Sequence, residues 1–204
     1  MSDVPMHETT PVQRALPIGT VAYHASGWYG MLGVIVTEGA LFGYLLFSYF
    51  YCAVQLPPSW TPEPHPSLTY ALPATLVMFL SSTAMWWAQR GFYLGAAPRY
   101  RFGLVAAILL GLVFVALELL EWKSKPFALT DSLYSSLYFT TTGIDLVHLI
   151  VGIIAVAAVL AWSLLGYVDA RRDTPTLIVG AYWHFVTLAW LAVFVTFYIS
   201  PYLR

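Results

Sequence analysis

Five apolar runs, each long enough to cross a bilayer, divide this chain, and they constrain its fold more tightly than any other feature. About 20 apolar residues in a helix span the ~30 Å hydrocarbon core. The runs are Gly27–Val54, Ser67–Gln89, Phe102–Glu121, Ser132–Gly166 and Thr176–Tyr202. The expected fold is all-α: a polytopic membrane bundle of five transmembrane helices over 27–204, behind a polar cytoplasmic tail over 1–26. The fourth run would be ~50 Å long as one helix at 1.5 Å per residue, so it must tilt or protrude. Only 9% of the residues are charged, against about a quarter in soluble domains, which excludes a soluble globular class.

Five spans put the two termini on opposite sides, and cations decide which side is which. With the N-terminus inside, the inner segments hold Arg14, Arg90, Arg99, Arg101, Arg171 and Arg172, and the outer ones hold Lys123, Lys125 and Arg204. The excess favours a cytoplasmic N-terminus and an outside C-terminus. The connection Gln55–Pro66, QLPPSWTPEPHP, carries no Lys or Arg and falls outside; its prolines predict an extended, ordered link. The basic clusters serve first as topology signals, and attraction to anionic lipid comes with them. The N-terminal tail lacks the apolar core of a signal peptide.

Other classes of function find little support. The net charge of −1 gives no reason to expect a nucleic-acid partner. A single cysteine, Cys52, rules out an intrachain disulfide and a copper pair bridged by two thiolates, and is best read as a small packing residue. There is no internal repeat, phosphate-cradling glycine loop or nucleophile elbow. A proton-coupled transporter would be expected to show inverted repeats or broken helices.

Ionisable residues inside the spans are few: Glu38, Glu118, Glu121, Asp145, His148 and His184. Such groups are costly in lipid, so each faces protein and needs a partner. Counted at ~1.5 Å per residue, Glu38 lies near mid-membrane, Glu118, Asp145 and His148 lie in the outer half, and His184 lies toward the inner side. Asp145 and His148 share a face at i, i+3, as do Glu118 and Glu121. The expectation is one outer cluster of Glu118, Asp145 and His148, with Glu38 and His184 apart from it. Such a cluster could be an interhelical hydrogen-bond network, a proton relay or a carboxylate metal site. A di-iron bundle uses Glu-x-x-His twice, and here the second histidine is missing. Haem ligation by His148 or His184 would need matched heights, which these two lack. The glycines of the first run (Gly30, Gly33 and the Gly39/Gly43 pair), and Gly143 and Gly152 of the fourth, predict close helix packing.

Four segments together resemble subunit III of the haem-copper terminal oxidases, the cytochrome c and quinol oxidase family. TEGALFG over 37–43 is similar to the family's Ser-Glu-x-x-x-Phe segment, with Glu38 on its intramembrane glutamate. FVALELLEW over 114–122 matches at Glu121 and Trp122, with Glu118 where glutamine is usual. YFTTTGIDLVHLIVG over 138–152 matches at Thr142, Gly143, His148 and Gly152; Asp145 replaces a histidine and Leu146 a glycine. YWHFVTLAW over 182–190 matches at Tyr182, Trp183, His184, Phe185 and Trp190, with Thr187 in place of an aspartate. The resemblance runs from about Gly27 to the C-terminus and fits the five-helix bacterial form.

The resemblance implies a non-catalytic subunit of a proton-pumping oxidase in a bacterial inner membrane. Haem and copper would sit in partner subunits I and II. This chain would bind no cofactor beyond phospholipid, pack on subunit I, and help to sustain proton uptake. Glu38 is then the expected proton-linked carboxyl. His148 would pair with Glu118 or Glu121, with Asp145 modifying it. Trp183, His184 and Trp190 would meet lipid or a neighbouring subunit. The alternatives are an accessory protein of a nitric oxide reductase and a stand-alone enzyme with metal at Glu118, Asp145 and His148.

Overall fold

The computed structural model describes residues 26–57, 60, 61, 67–168 and 173–203. The described residues are helical with no strand, and five helices are long and apolar enough to cross a membrane. They are α1 (Ser26–Gln55), α2 (Leu68–Tyr93), α3 (Ala97–Ser124), α4 (Leu133–Leu164) and α5 (Thr174–Phe194). Beyond α5 the chain loosens into a π-turn, Val195–Ile199, and then tightens into a 3₁₀ turn, Ser200–Leu203. The polar tail up to residue 25 lies outside the described residues. So do Arg14, Arg171, Arg172 and Arg204 of the orientation count, and most of the proline-rich connection.

Local chemistry sets the ends. Ser67 caps α2 by accepting from the Thr69 N–H at 3.2 Å. Ser132 and Ser135 form a reciprocal capping box at the start of α4. Pro98 and Pro175 sit in the first turns of α3 and α5, where a missing N–H costs nothing. α2 and α4 end alike. Gly95 (φ +69°) and Gly166 (φ +76°) take the left-handed conformation. The next N–H reaches back in each case, Ala96 to Gly91 O and Tyr167 to Trp162 O, both at 2.9 Å. This is the Schellman ending that glycine permits.

These stops make the α2–α3 connection shorter than the sequence reading allowed. That reading ended the second span at Gln89 and began the third at Phe102. In the structure only Leu94, Gly95 and Ala96 separate the two helices, so Arg90, Arg99 and Arg101 are helical. The two helices then meet backbone to backbone. A Cβ on Gly103 would lie 2.7 Å from Ala88 Cβ, and one on Gly91 would lie 3.0 Å from Tyr100 N.

The expected glycine packing of the first helix is not found. A Cβ on Gly30, Gly33 or Gly43 would meet nothing within 4 Å, and one on Gly39 would only touch Phe185 at 3.9 Å. α1 buries just Phe42, Leu45 and Tyr49. It leans against α4 and α5 from outside, and its glycine face is open.

The core lies among α2, α3, α4 and α5. Trp183 and Trp190 are its largest members, 0% and 1% exposed. Gly111 of α3 and Gly152 of α4 leave the space that the Trp183 ring fills. Its Nε1–H donates to Ser81 Oγ at 2.9 Å, and that of Trp190 donates to Thr75 Oγ1 at 3.0 Å. Phe114 packs edge-on against Trp190 at 4.7 Å.

Gly103→Val should overpack the α2–α3 contact and cost ~1–3 kcal/mol. Gly43→Val, on the open face of α1, should be close to neutral in the isolated chain. Reversible unfolding in mixed micelles compares the two; equal losses would contradict the packing described.

Candidate functional site

Where α1 leans on α4 and α5, an open cleft of about 420 Å³ remains. Met31, Val34, Val147, Val151, Ile178 and Val179 make its apolar walls. Three polar side chains line it: Glu38, His148 and Tyr182. Glu38 Oε2 lies 3.0 Å from His148 Nε2. The side chains are 32% and 14% exposed, so the pair can be reached from the cleft.

The hydrogen count of this pair follows from its neighbours. His148 Nδ1 lies 2.7 Å from the Ile144 carbonyl oxygen, which can only accept, so Nδ1 carries a hydrogen. Nε2 then either donates to an ionised Glu38 or accepts from a protonated one. In both cases one hydrogen lies between Oε2 and Nε2. The two forms differ only in which atom holds it. Phe42 packs edge-on to the imidazole at 5.3 Å, and Tyr182 Oη donates to the His148 carbonyl at 3.1 Å. These contacts hold the ring and the α4 backbone in place.

The pairing corrects the sequence reading, which gave His148 to Glu118 or Glu121. Depth counted from span ends misled it. α4 runs for 32 residues and α1 for 30, so His148 and Glu38 both fall near mid-helix. The face was also divided more finely than i, i+3 spacing suggests. Asp145 turns into the bundle, 1% exposed, while His148 turns toward α1.

Glu118, Glu121 and Asp145 form a separate buried group, each 1% exposed. Glu118 lies within electrostatic range of both others. The Trp122 Nε1–H is shared between Glu118 Oε1 and Thr142 Oγ1, both at 3.1 Å. Glu121 pairs with Lys125 at 2.8 Å. The Lys125 ammonium sits over the rings of Tyr138 and Tyr198, 5.0 and 5.3 Å from their centroids. Those two phenols share a hydrogen bond of 2.8 Å. Neither Asp145 oxygen has a hydrogen-bond partner among the described residues.

The trio Glu118, Asp145 and His148, the metal set of the rival reading, is therefore not brought together. Among the described residues no three His, Cys, Asp or Glu side chains are placed to share one ion.

His184 stands apart from His148, and its partners are on α2. Nδ1 is 2.7 Å from Ser82 Oγ, and Nε2 is 3.3 Å from Gln89 Oε1. Gly180 is the seat for Gln89, since a Cβ there would collide with its amide. His184 is thus an interhelical tie, and Trp183 and Trp190 are core residues. All three had been expected to meet lipid or a neighbouring subunit. Their partners Thr75, Ser81, Ser82 and Gln89 were missed, because small polar residues in an apolar run give little warning of which way they face. Lys125 was missed as well; it had been assigned to an outer loop.

A family model described as cytochrome c oxidase subunit III matches residues 17–202. Cytochrome c oxidase subunit 3 of Arabidopsis thaliana is 30% identical over 177 residues, 83% of this chain and 67% of the relative. The proteins of that name from Pongo pygmaeus and Danio rerio are each 28% identical over 199 residues, 94% of this chain and 72% of theirs.

A double-mutant cycle tests the Glu38–His148 contact. With Glu38→Ala, His148→Ala and the double variant, the expected coupling is ~0.6–1.7 kcal/mol, as for other interhelical polar contacts in membranes. Unfolding in mixed micelles measures it, and strictly additive losses would refute the pairing. Trp183→Phe should cost about 1 kcal/mol through the lost bond to Ser81, read in the same assay.

Proposed function

The chain belongs to the cytochrome c oxidase subunit III family, and from that premise we propose that it acts as a non-catalytic, lipid-binding subunit supporting proton uptake by its oxidase. The parent complex reduces oxygen to water and translocates protons. Its haem and copper are carried by subunits I and II, and this chain packs on subunit I. The chain is a multi-pass membrane protein, and the membrane we assign is the bacterial inner membrane, with the N-terminus cytoplasmic and the C-terminus outside.

The observation that carries this reading is the Glu38–His148 pair in the wall of an apolar cleft. Apart from Glu38, His148 and Tyr182 the cleft is lined by apolar side chains, which suits an acyl chain. A chain seated there would cover the pair and brace α1 against α4 and α5. The pair holds one proton in a hydrogen bond of ordinary length, so Glu38 need not stand in lipid as a bare charge. Both atoms can carry that proton, so the pair has two places to hold it. That makes the pair a local proton store, not a site of electron transfer. The open glycine face of α1 supports the packing on subunit I, because small residues let a second helix approach closely.

Glu38→Gln in the whole oxidase is the test. The complex should assemble and start turnover at the wild-type rate, while the rate at which activity is lost during sustained turnover should change. Immediate loss of electron transfer would overturn the accessory role.

A further inference from the structure

The interior carboxyls Glu118 and Asp145 have no part in the cleft, and the function proposed above leaves them unused. Both are buried, at 1% exposure each, on the facing helices α3 and α4. Each lies within electrostatic range of the other. A buried charge needs a partner of opposite sign, or it gives way to the neutral, protonated form. Lys125 is the cation that the described residues bring to this group, and Glu121 holds it at 2.8 Å. Both carboxyls also depart from the subunit III pattern, which has glutamine and histidine at the two positions.

Donors are as scarce as counter-charge. Glu118 Oε1 accepts from the Trp122 indole at 3.1 Å. Glu118 Oε2 and both Asp145 oxygens have no hydrogen-bond partner among the described residues. Thr141 gives an independent sign of an occupant. It stands one turn before Asp145 on the same face of α4, it is 0% exposed, and its hydroxyl has no partner either. Thr75, Thr142 and Thr187, by contrast, each donate to the carbonyl four residues back.

An ionised carboxyl only accepts, whereas a protonated one carries an O–H donor. Two carboxyls that share a low-dielectric site do not both ionise. Glu118 has the indole N–H to stabilise its anion and Asp145 has nothing comparable, so the proton belongs on Asp145. A buried water satisfies polar atoms that lack other partners, and Glu118, Asp145 and Thr141 all present such atoms. We propose that these three residues form an internal proton-binding site, in which Asp145 holds the proton and a bridging water links it to Glu118 and Thr141. The other titratable groups around it are Glu121 and Lys125 at the end of α3, Tyr138 on α4, and Tyr182 and Tyr198 from α5 and the turn beyond it. Glu38 of α1 lies within range of the same Tyr182, and α2 turns Thr75 and Ser81 inward, which carry no charge.

Infrared spectroscopy of the full chain in mixed micelles at neutral pH tests this. A protonated carboxylic acid has a C=O stretch distinct from that of a carboxylate, and the band shifts in heavy water. Wild type should show such a band, and carbon-13 labelling of the aspartate carboxyls should move it. Asp145→Asn should remove it, while Glu118→Gln and Thr141→Val should each shift it. Glu38→Gln should leave it in place, which separates this site from the cleft pair. Absence of the band from wild type would overturn the proposal, and so would a band that survives Asp145→Asn or vanishes with Glu38→Gln. A band indifferent to both Glu118→Gln and Thr141→Val would overturn the bridged site. If Asp145→Asn does not fold, labelled wild type still decides, since a band that ignores labelled aspartate refutes the assignment.

Discussion

The indole of Trp183 touches α2, α3 and α4, three of the helices that pack on α5. Its ring fills the space left by Gly111 of α3 and Gly152 of α4, and its N–H is held by Ser81 of α2. Lipid offers helices no hydrophobic reason to associate, so packing and polar contacts must hold them. One large residue meeting two glycines and a hydroxyl supplies both. With Trp183 seated, the rotation of α5 is fixed. Its neighbour Tyr182 then reaches the carbonyl of His148, and His184 reaches Ser82 and Gln89. The cleft side and the α2 side of α5 are thus set by one anchor between them.

The transmembrane architecture was legible because it depends on length and apolarity alone. Five runs predicted five helices, and the structure has them. Rotation was far less legible. All-round apolar helices carry no amphipathic stripe to show which face is interior. That is why Trp183 and Trp190 were expected at a surface, and why Gly30, Gly33 and Gly43 were expected in a packed seam. His148 was recognised as needing a partner, but the partner lay on a helix distant in sequence. The three-residue turn between α2 and α3 was hidden for another reason. Its arginines looked like loop residues, yet they lie inside helices that end only where Gly95 turns the chain.

The positions where the chain departs from the family pattern fall into two kinds. Thr187, in place of an aspartate, is satisfied within its own helix by the Trp183 carbonyl at 3.0 Å, and needs nothing from a neighbour. Glu118 and Asp145 sit on facing helices in the same interior region. There Glu118 accepts from Trp122, which also meets Thr142, and its neighbour Glu121 pairs with Lys125. Lys125 also covers two phenol rings, so one ammonium engages α3, α4 and the end of α5 together. The cleft pair and this interior group thus differ: the first joins two helices through one hydrogen bond, while the second leaves both Asp145 oxygens without a hydrogen-bond partner among the described residues.

The π-turn after α5 has a geometric meaning of its own. A residue advances an α-helix by about 100°, and a π-turn takes up one residue beyond the α-helical number. Everything after Val195 is therefore out of phase with the rest of α5 by about that angle. Tyr198 thereby comes to face Tyr138, and Ser200 to face Tyr49. The last turns of the chain are indexed to α4 and α1 by an extra residue held inside the helix. The same sequence drawn into a regular α-helix, with no residue removed, would keep its helix and its hydropathy, yet would present a different side of this segment to its neighbours.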